Sequence, residues 1–216
     1  MDAAAVIFDL DGTLIDSEEV WDLVRRELAT DAQIAWDESW TRAMMGMSTQ
    51  EWSAHLADVV GIPMPAPEVA QATIEKMVEH HRRGVAVLPG AVAAVHRMAQ
   101  LSPVAINSSS PRVLIEAAVS ALGLQGVFAA TVSTEEVGLG KPDPAGYLRA
   151  AELLKVDPGR CVVVEDSANG IRSAQAAGMA VVSIPPRFQA PGQELLTDVC
   201  VISSLNELTA GLIAGL

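Results

Sequence analysis

The chain has 216 residues, of which 50% are hydrophobic and 19% are charged. This length and composition allow a well-buried core in one domain, or in a larger domain that carries a smaller one. The formal net charge of -13 repels nucleic acid and anionic membrane surfaces at long range, so neither is expected as a partner. An anionic ligand would also be repelled, and it would need local groups and a cation to bind.

The sequence gives little indication of a targeting segment, a membrane span or a disulfide bond. The first basic residue is Arg25 and Asp9 interrupts the N-terminal apolar run, which is not the pattern of a signal peptide. The longest uncharged stretch, 117–134, is broken by glycines, which favours a helix end, a turn and a short strand over a membrane span. Cys161 and Cys200 are far apart in apolar runs, as expected of buried residues. The cytoplasm is the expected compartment.

Five apolar runs have the composition of buried strands in a parallel sheet, apolar on both faces. They are residues 3–8, 103–106, 161–164, 179–184 and 199–202. Apolar residues at positions i, i+3 and i+4 predict helices at 113–122, 147–154 and 171–177. Ser110 is expected to cap the first of these helices, and Gly123 to end it. Strands that alternate with helices predict an α/β fold with a doubly wound parallel sheet.

Residues 17–83 interrupt this alternation and have helical patterns without a clear strand. They contain all four tryptophans of the chain, and three prolines punctuate their middle. Such a local change of composition predicts an inserted helical cap with its own small core. The expected division is therefore an α/β core of residues 1–16 and 84–216 and a cap of residues 17–83.

Polar side chains follow three of the predicted strands at the points where the strands end. Asp9 follows the first strand, Ser108 follows a second one, and Glu165 and Asp166 follow a third. Ligands of open parallel sheets bind beyond the carboxyl ends of the strands. These side chains are therefore expected to converge on one crevice.

Two pairs of carboxylates belong to this set. Asp9 and Asp11 suit a nucleophile toward phosphorus with a neighbouring acid–base catalyst, and an Asp-Gly turn that leads into a helix cap is the alternative. Glu165 and Asp166 offer the hard oxygen ligands that suit Mg²⁺, and an acidic cap on the following helix is the alternative. Four carboxylates beside a phosphate dianion would repel it, so a cation is expected with them.

Ser108, Ser109 and Lys141 are the groups expected to bind an anion. The serines leave a strand and enter a helix, where a hydroxyl and free N–H groups form an anion site, although ordinary helix capping uses the same residue types. Lys141 lies in a loop stiffened by glycines and prolines. It would act as a point charge on phosphate, and a solvated loop lysine is the alternative.

Taken in chain order, these signals resemble the haloacid dehalogenase (HAD) superfamily, and within it the β-phosphoglucomutase-like sugar phosphatases with a small helical cap. The matching segments are 9–17, 105–111, 140–144 and 162–178. The resemblance implies that Asp9 is the nucleophile and Asp11 the acid–base catalyst. It further implies that Mg²⁺ binds the Asp9 carboxylate, the Asp11 carbonyl and Asp166, with Glu165 assisting directly or through water.

The resemblance also assigns the phosphoryl oxygens to Ser108, the N–H of Ser109 and Lys141, and it raises a mutase as an alternative. Mutases of this branch carry a histidine where Trp21 aligns and an arginine where Thr49 aligns. Because both groups are absent, hydrolysis and product release are expected. The residues expected to line the substrate pocket, with packing of the cap against the core as the alternative, are Glu18, Trp21, Gly46 and Met47.

The expected function is Mg²⁺-dependent hydrolysis of small phosphorylated metabolites, first of all sugar phosphates, by a protein compatible with a monomer. Two other classes stay open. A signalling receiver domain also phosphorylates an aspartate, but it places its acidic pair on the first strand and has no cap insert. A non-catalytic binding module would not need the full set of acidic, serine and lysine residues.

Overall fold

The computed structural model describes residues 3–44, 47–185 and 191–216. The chain divides into two compact units, Met1–Asp16 with Val85–Leu216, and Ser17–Gly84. Within the described ranges, no helix combines the length and the hydropathy that crossing a bilayer requires.

The helices of the smaller unit are α1 (Glu18–Asp31), α2 (Glu38–Met44), α3 (Thr49–His55) and α4 (Ala66–Arg83), with a π-helical turn at Leu56–Val60. Those of the larger unit are α5 (Ala91–Ala99), α6 (Arg112–Ala121), α7 (Ala145–Leu154), α8 (Ala168–Ala176) and α9 (Ala210–Ala214). Short 3₁₀ turns lie at Thr134–Glu136, Pro158–Arg160 and Leu205–Glu207. The periodicity of the sequence predicts α6, α7 and α8 but does not single out α5 and α9.

The larger unit is built on one parallel sheet. Its strands are β1 (Ala5–Phe8), β2 (Val104–Ser108), β3 (Ala130–Ser133), β4 (Cys161–Glu165), β5 (Ala180–Ser183) and β6 (Cys200–Val201). Their order is β3-β2-β1-β4-β5-β6, and each neighbouring pair is parallel. The predicted α/β fold with a doubly wound sheet is confirmed, and β3 lies in the uncharged stretch where the sequence predicts a short strand.

Different helices cover the two faces of this sheet. Val6 and Phe8 belong to an apolar cluster with residues of α5 and α6, whereas Ala5 and Ile7 belong to a cluster with residues of α7 and α8. Successive side chains of a strand point to opposite faces, so both sides of β1 are buried. This burial explains why the strands appear in the sequence as continuous apolar runs. Cys161 is buried as predicted, whereas Cys200 on the edge strand is only partly buried.

The smaller unit has an apolar cluster of its own. Met44 and Trp52 are buried in this cluster, and Trp21, Trp36 and Trp40 pack against it partly buried. All four tryptophans of the chain therefore contribute to one cluster, which is consistent with their concentration in this stretch of sequence. The described residues of this unit contain helices and no strand.

Candidate active site

The carboxyl ends of β1, β2 and β4 lie side by side, because these strands are neighbours in the sheet. Asp9 directly follows β1, Ser108 is the last residue of β2, and Glu165 is the last residue of β4. Asp166 follows Glu165 and adds a further carboxylate at this edge. The structure therefore brings together the polar strand ends that the sequence singles out.

The chain turns sharply after β1 through Gly12, whose φ of +86° is a conformation that other residues rarely adopt. A Cβ atom on Gly12 would lie 2.2 Å from Oδ2 of Asp166, so glycine lets the turn pass close to this carboxylate. The hydroxyl of Thr13 donates a hydrogen bond to Oδ1 of Asp166 at 3.2 Å. Close packing and one hydrogen bond thus hold Asp166 against the turn.

Two serine hydroxyls hold the carboxylate of Asp11. Oγ of Ser110 donates to Oδ2 of Asp11 at 2.7 Å, and Oγ of Ser108 donates to the same oxygen at 3.2 Å. Oγ of Ser108 also accepts from the backbone N–H of Ser110 at 3.0 Å. Ser109 lies between them and is exposed. The serine loop after β2 and the acidic turn after β1 therefore form one hydrogen-bonded unit.

The prediction that Ser110 caps α6 is wrong. The helix begins at Arg112, and Pro111 occupies its N-cap position without a side-chain hydrogen bond. The hydroxyl of Ser110 instead binds Asp11, which lies 99 positions earlier in the chain. Its carbonyl oxygen accepts from the hydroxyl of Ser133 at 2.8 Å. The hydroxyl of Ser110 thus donates to a residue distant in sequence, whereas a capping hydroxyl accepts from the N–H groups of the first helical turn.

Lys141 reaches this group from the loop between β3 and α7. Its ammonium donates to Oδ1 of Asp9 at 2.5 Å and to Oε1 of Glu165 at 2.6 Å. The side chain is only 7% exposed, and the peptide bond between Lys141 and Pro142 is cis. The lysine is thus a buried bridge between two carboxylates and not a solvated loop residue.

Glu165 is fully buried, and both of its carboxylate oxygens accept hydrogen bonds. Oε1 accepts from Lys141 and from the hydroxyl of Tyr147, the latter at 2.9 Å. Oε2 accepts from the N–H of Asp166 at 2.9 Å and from the N–H and the hydroxyl of Ser167, both at 3.0 Å. Burying a carboxylate is costly unless it is paired and hydrogen-bonded, and these donors meet that requirement.

Two residues of this network, Tyr147 and Gly170, are not singled out by the sequence patterns. Tyr147 is the only tyrosine of the chain and is fully buried in α7. A buried tyrosine hydroxyl usually finds a hydrogen-bond partner, and this requirement is the signal that could have pointed to it. Gly170 leaves space for Glu165, because a Cβ atom on it would lie 1.6 Å from Oε1. Such a close approach has no signature in a local pattern.

The surroundings shift the pKa values of the three carboxyl groups Asp9, Glu165 and Asp166 in different directions. Burial is the main cause that raises the pKa of Asp9 to about 7; Glu165 and Asp11 add to it, and Lys141 opposes it. Burial also raises the pKa of Asp166 well above its usual range, and the charges of Asp9 and Glu165 add to it. Burial acts to raise the pKa of Glu165 as well, but the attraction of Lys141 outweighs it and the pKa is lowered.

The pKa of Lys141 is also shifted by its surroundings. Burial acts to lower its pKa, but the carboxylates of Asp9 and Glu165 outweigh this effect and raise the pKa well above its usual value. Lys141 therefore forms ion pairs with both Asp9 and Glu165, at 2.5 Å and 2.6 Å. The pKa values of Asp9 and Asp166 are nevertheless raised, and a cation bound beside these two carboxylates would stabilise their charged forms.

The residues present fit a divalent metal ion. Asp9, Glu165 and Asp166 each offer one carboxylate oxygen, and these atoms lie within 4.8 Å of one another. This spacing is close to that of oxygens around one Mg²⁺, about 3 to 4 Å. The donors are hard oxygens, and a bound cation would stabilise the charged forms of Asp9 and Asp166, whose pKa values are raised by burial.

The residues predicted to line a substrate pocket belong to the smaller unit. Glu18 is exposed in the first turn of α1. Trp21 contacts Trp52, with the ring centroids 5.8 Å apart. Met47 is partly buried against the same apolar cluster, and Gly46 lies outside the described residues. A role of these residues in a substrate pocket stays a prediction.

Residues 3–178 match the family model described as haloacid dehalogenase-like hydrolase. The chain belongs to the haloacid dehalogenase-like hydrolase family. The resemblance seen in the sequence motifs is therefore confirmed, and it extends over most of the chain.

Relatives with named activities are similar to this chain over nearly their whole length. Hexitol phosphatase B of Escherichia coli K12 is 35% identical over 220 residues, which cover 95% of this chain and 94% of that protein. Fructose-1-phosphate phosphatase YqaB of the same strain is 30% identical over 181 residues, or 84% and 96% of the two chains. A solved structure is also similar, the crystal structure of CbbY from Rhodobacter sphaeroides in complex with phosphate. Its sequence is 26% identical to this one, the TM-score is 0.85, and the match covers 95% of this chain and 96% of that chain.

Proposed function

We propose that this protein is a Mg²⁺-dependent phosphatase that hydrolyses sugar and sugar-alcohol phosphates through a phospho-aspartate on Asp9. The chain is a phosphoric monoester hydrolase, since it belongs to a hydrolase family and its relatives named above are phosphatases. One observation supports the proposed phospho-aspartate mechanism above all: the ammonium of Lys141 bridges Asp9 and Glu165 beside Asp166. We take the larger unit as the catalytic core, the smaller one as the cap, and the cytoplasm as the location.

In the first half-reaction, the carboxylate of Asp9 attacks phosphorus and the bond to the leaving alcohol breaks. A carboxylate is a suitable nucleophile for phosphorus, and the strand end holds it rigidly in place. Its backbone N–H donates to the carbonyl of Val164 at 3.0 Å, which ties the nucleophile to β4. The carboxyl proton of Asp11 passes to the leaving oxygen.

In the second half-reaction, the carboxylate of Asp11 takes a proton from water, and that water attacks the phosphorus of the phospho-aspartate. Inorganic phosphate leaves, and the carboxylate of Asp9 is restored. The hydroxyl of Ser110 donates to Oδ2 of Asp11 at 2.7 Å, so it orients this carboxylate for both proton transfers.

Lys141, Ser108 and Ser109 are the groups proposed to hold the phosphoryl oxygens. Lys141 is already placed against Oδ1 of Asp9, where the transferred group would arrive. Ser108 exchanges its hydrogen bond with Asp11 for one with a phosphoryl oxygen when substrate binds. Positioning and charge neutralisation carry most of the catalysis in phosphoryl transfer.

Asp9, Asp166 and the backbone carbonyl of Asp11 are the groups proposed to hold Mg²⁺. When bound, the ion would neutralise negative charge on the phosphoryl group and on these carboxylates. Glu165 would assist through water, because its two oxygens already accept bonds from Lys141, Tyr147, Asp166 and Ser167.

Removal of divalent metal is expected to abolish phosphate release, and added Mg²⁺ should restore it. The test is inorganic phosphate release from hexitol phosphates, fructose 1-phosphate, pentose phosphates and phosphoglycolate, before and after treatment with EDTA. Turnover at the full rate in metal-stripped protein would contradict the metal site. A preference for phosphoglycolate over every sugar phosphate would contradict the proposed substrate class.

The apparent affinity for Mg²⁺ should rise with pH. Because the pKa of Asp9 is raised to about 7 without metal, binding below this pH must displace its proton. Displacement of the Asp9 proton alone makes the affinity increase by about tenfold per pH unit well below pH 7, and displacement of a proton from Asp166, whose pKa is also raised, makes the increase steeper. Calorimetric titration in two buffers of different ionisation enthalpy measures the protons released. An affinity that does not change between about pH 5.5 and pH 7.5 would count against Asp9 as a ligand.

The same substrate panel separates a phosphatase from a phosphosugar mutase. A mutase would return a rearranged sugar phosphate and release little inorganic phosphate. Trp21 and Thr49 stand where the resemblance expects the histidine and the arginine of mutases, which favours hydrolysis.

A further inference from the structure

Tyr147 contacts Lys141 and Glu165, two of the residues in the buried network of the site. It is the third residue of α7, is 0% exposed, and follows the loop that carries the lysine. Its hydroxyl donates to Oε1 of Glu165 at 2.9 Å. Nζ of Lys141 lies 5.2 Å from the centroid of the tyrosine ring, within the range of a cation–π contact.

Oε1 of Glu165 is shared between two donors, the hydroxyl of Tyr147 and the ammonium of Lys141. The other oxygen of Glu165 accepts from Asp166 and Ser167, so its position is set independently of the lysine. The hydroxyl of Tyr147 therefore satisfies part of the hydrogen-bonding capacity of Oε1. The ammonium of Lys141 can then donate to Asp9 as well as to Glu165.

We propose that Tyr147 is a positioning residue that holds Lys141 in line with Asp9 for phosphoryl transfer. The proposal rests on the phosphatase function and deepens it. Without the hydroxyl, Oε1 of Glu165 would retain Lys141 as its donor, and the stronger attraction would draw the ammonium away from Asp9. The aromatic ring sets the direction of the lysine side chain, and the hydroxyl sets the position of its ammonium group.

A purely structural role for Tyr147 would need the ring but not this particular hydrogen bond. Phenylalanine would fill the same space in the cluster that α7 forms with β1 and β4 and would keep the contact between ring and ammonium. The Tyr147→Phe variant therefore removes only the hydroxyl. It separates positioning of Lys141 from packing of the core.

The Tyr147→Phe variant is expected to lower kcat about tenfold, as the loss of a residue that orients a direct ligand does, with KM changed less than about twofold. In its crystal structure, Nζ of Lys141 should lie beyond hydrogen-bond distance of the Asp9 carboxylate. Thr73→Val is the matched control. It removes another fully buried hydroxyl with little change of shape, one that donates to the carbonyl of Val69 at 2.7 Å within α4.

An unchanged kcat in Tyr147→Phe, or a Lys141 that stays bound to Asp9 in its crystal structure, would overturn the proposal. An equal loss of kcat in Thr73→Val at matched thermal stability would also overturn it. If the wild-type protein released no phosphate, the proposed function would fail on its own. The position of Lys141 in the variant would still decide whether Tyr147 places the lysine.

Discussion

Replacement of Asp9 with asparagine is expected to abolish phosphate release, with kcat reduced by at least about 10⁴-fold, as is typical for loss of a nucleophile. The amide has nearly the same shape as the carboxylate but cannot attack phosphorus as an anion. It also removes the negative charge that Lys141 contacts at 2.5 Å. The measurement is steady-state phosphate release at saturating Mg²⁺ with the best substrate of the panel.

Asp198→Asn is the matched control for this variant. Asp198 is exposed, and the substitution changes the same atoms and the same unit of charge. Its activity should equal that of the wild type, which would assign the loss in Asp9→Asn to the site and not to net charge. Near-native turnover in Asp9→Asn would place the nucleophile elsewhere.

Replacement of Asp11 with asparagine is expected to lower the rate of both half-reactions by about 10² to 10⁴-fold, the usual contribution of a general acid or base. The amide can still accept from Ser110, so the turn after β1 should keep its conformation. It cannot donate a proton to the leaving alcohol or take one from water. Single-turnover kinetics resolves formation of the phospho-aspartate from its hydrolysis.

A substrate with a good leaving group gives the sharper version of the Asp11 experiment. With an aryl phosphate, the leaving oxygen needs little protonation, so formation of the phospho-aspartate should recover in Asp11→Asn. Its hydrolysis should stay slow, because water still needs a base. Ser110→Ala removes one hydroxyl from Oδ2 of Asp11 and should give a smaller loss in both steps. A pH–rate profile of Asp11→Asn identical to that of the wild type would contradict the acid–base assignment.

Local patterns are sufficient for the strands and for three of the helices. The central strands β1, β2 and β4 are buried on both faces, so each forms an apolar run that needs no tertiary information to be recognised. Helix α5 is not singled out, because its sequence is apolar at nearly every position and shows little contrast between faces. The misassigned cap at Ser110 has a different cause, since its hydroxyl binds Asp11, a residue distant in the chain.

The sequence by itself determines which polar residues stand at strand ends, because an apolar run that stops at a carboxylate is a local feature. It also determines the family, through short motifs whose order along the chain is preserved. Only the tertiary structure decides which of these groups meet. Lys141 and Asp9 are 132 positions apart, and their contact depends on the pairing of β1 with its neighbours and on the path of the loop before α7.

The tertiary structure also decides the electrostatics of the site. Burial raises the pKa of Asp9, whereas the approach of Lys141 lowers that of Glu165, although both residues follow or end a similar apolar strand. The hydroxyl of Tyr147 and the missing side chain of Gly170 act on Glu165 only because α7 and α8 pack on the same face of the sheet. Charge stabilisation depends on distances and burial in three dimensions, and a local sequence pattern contains neither.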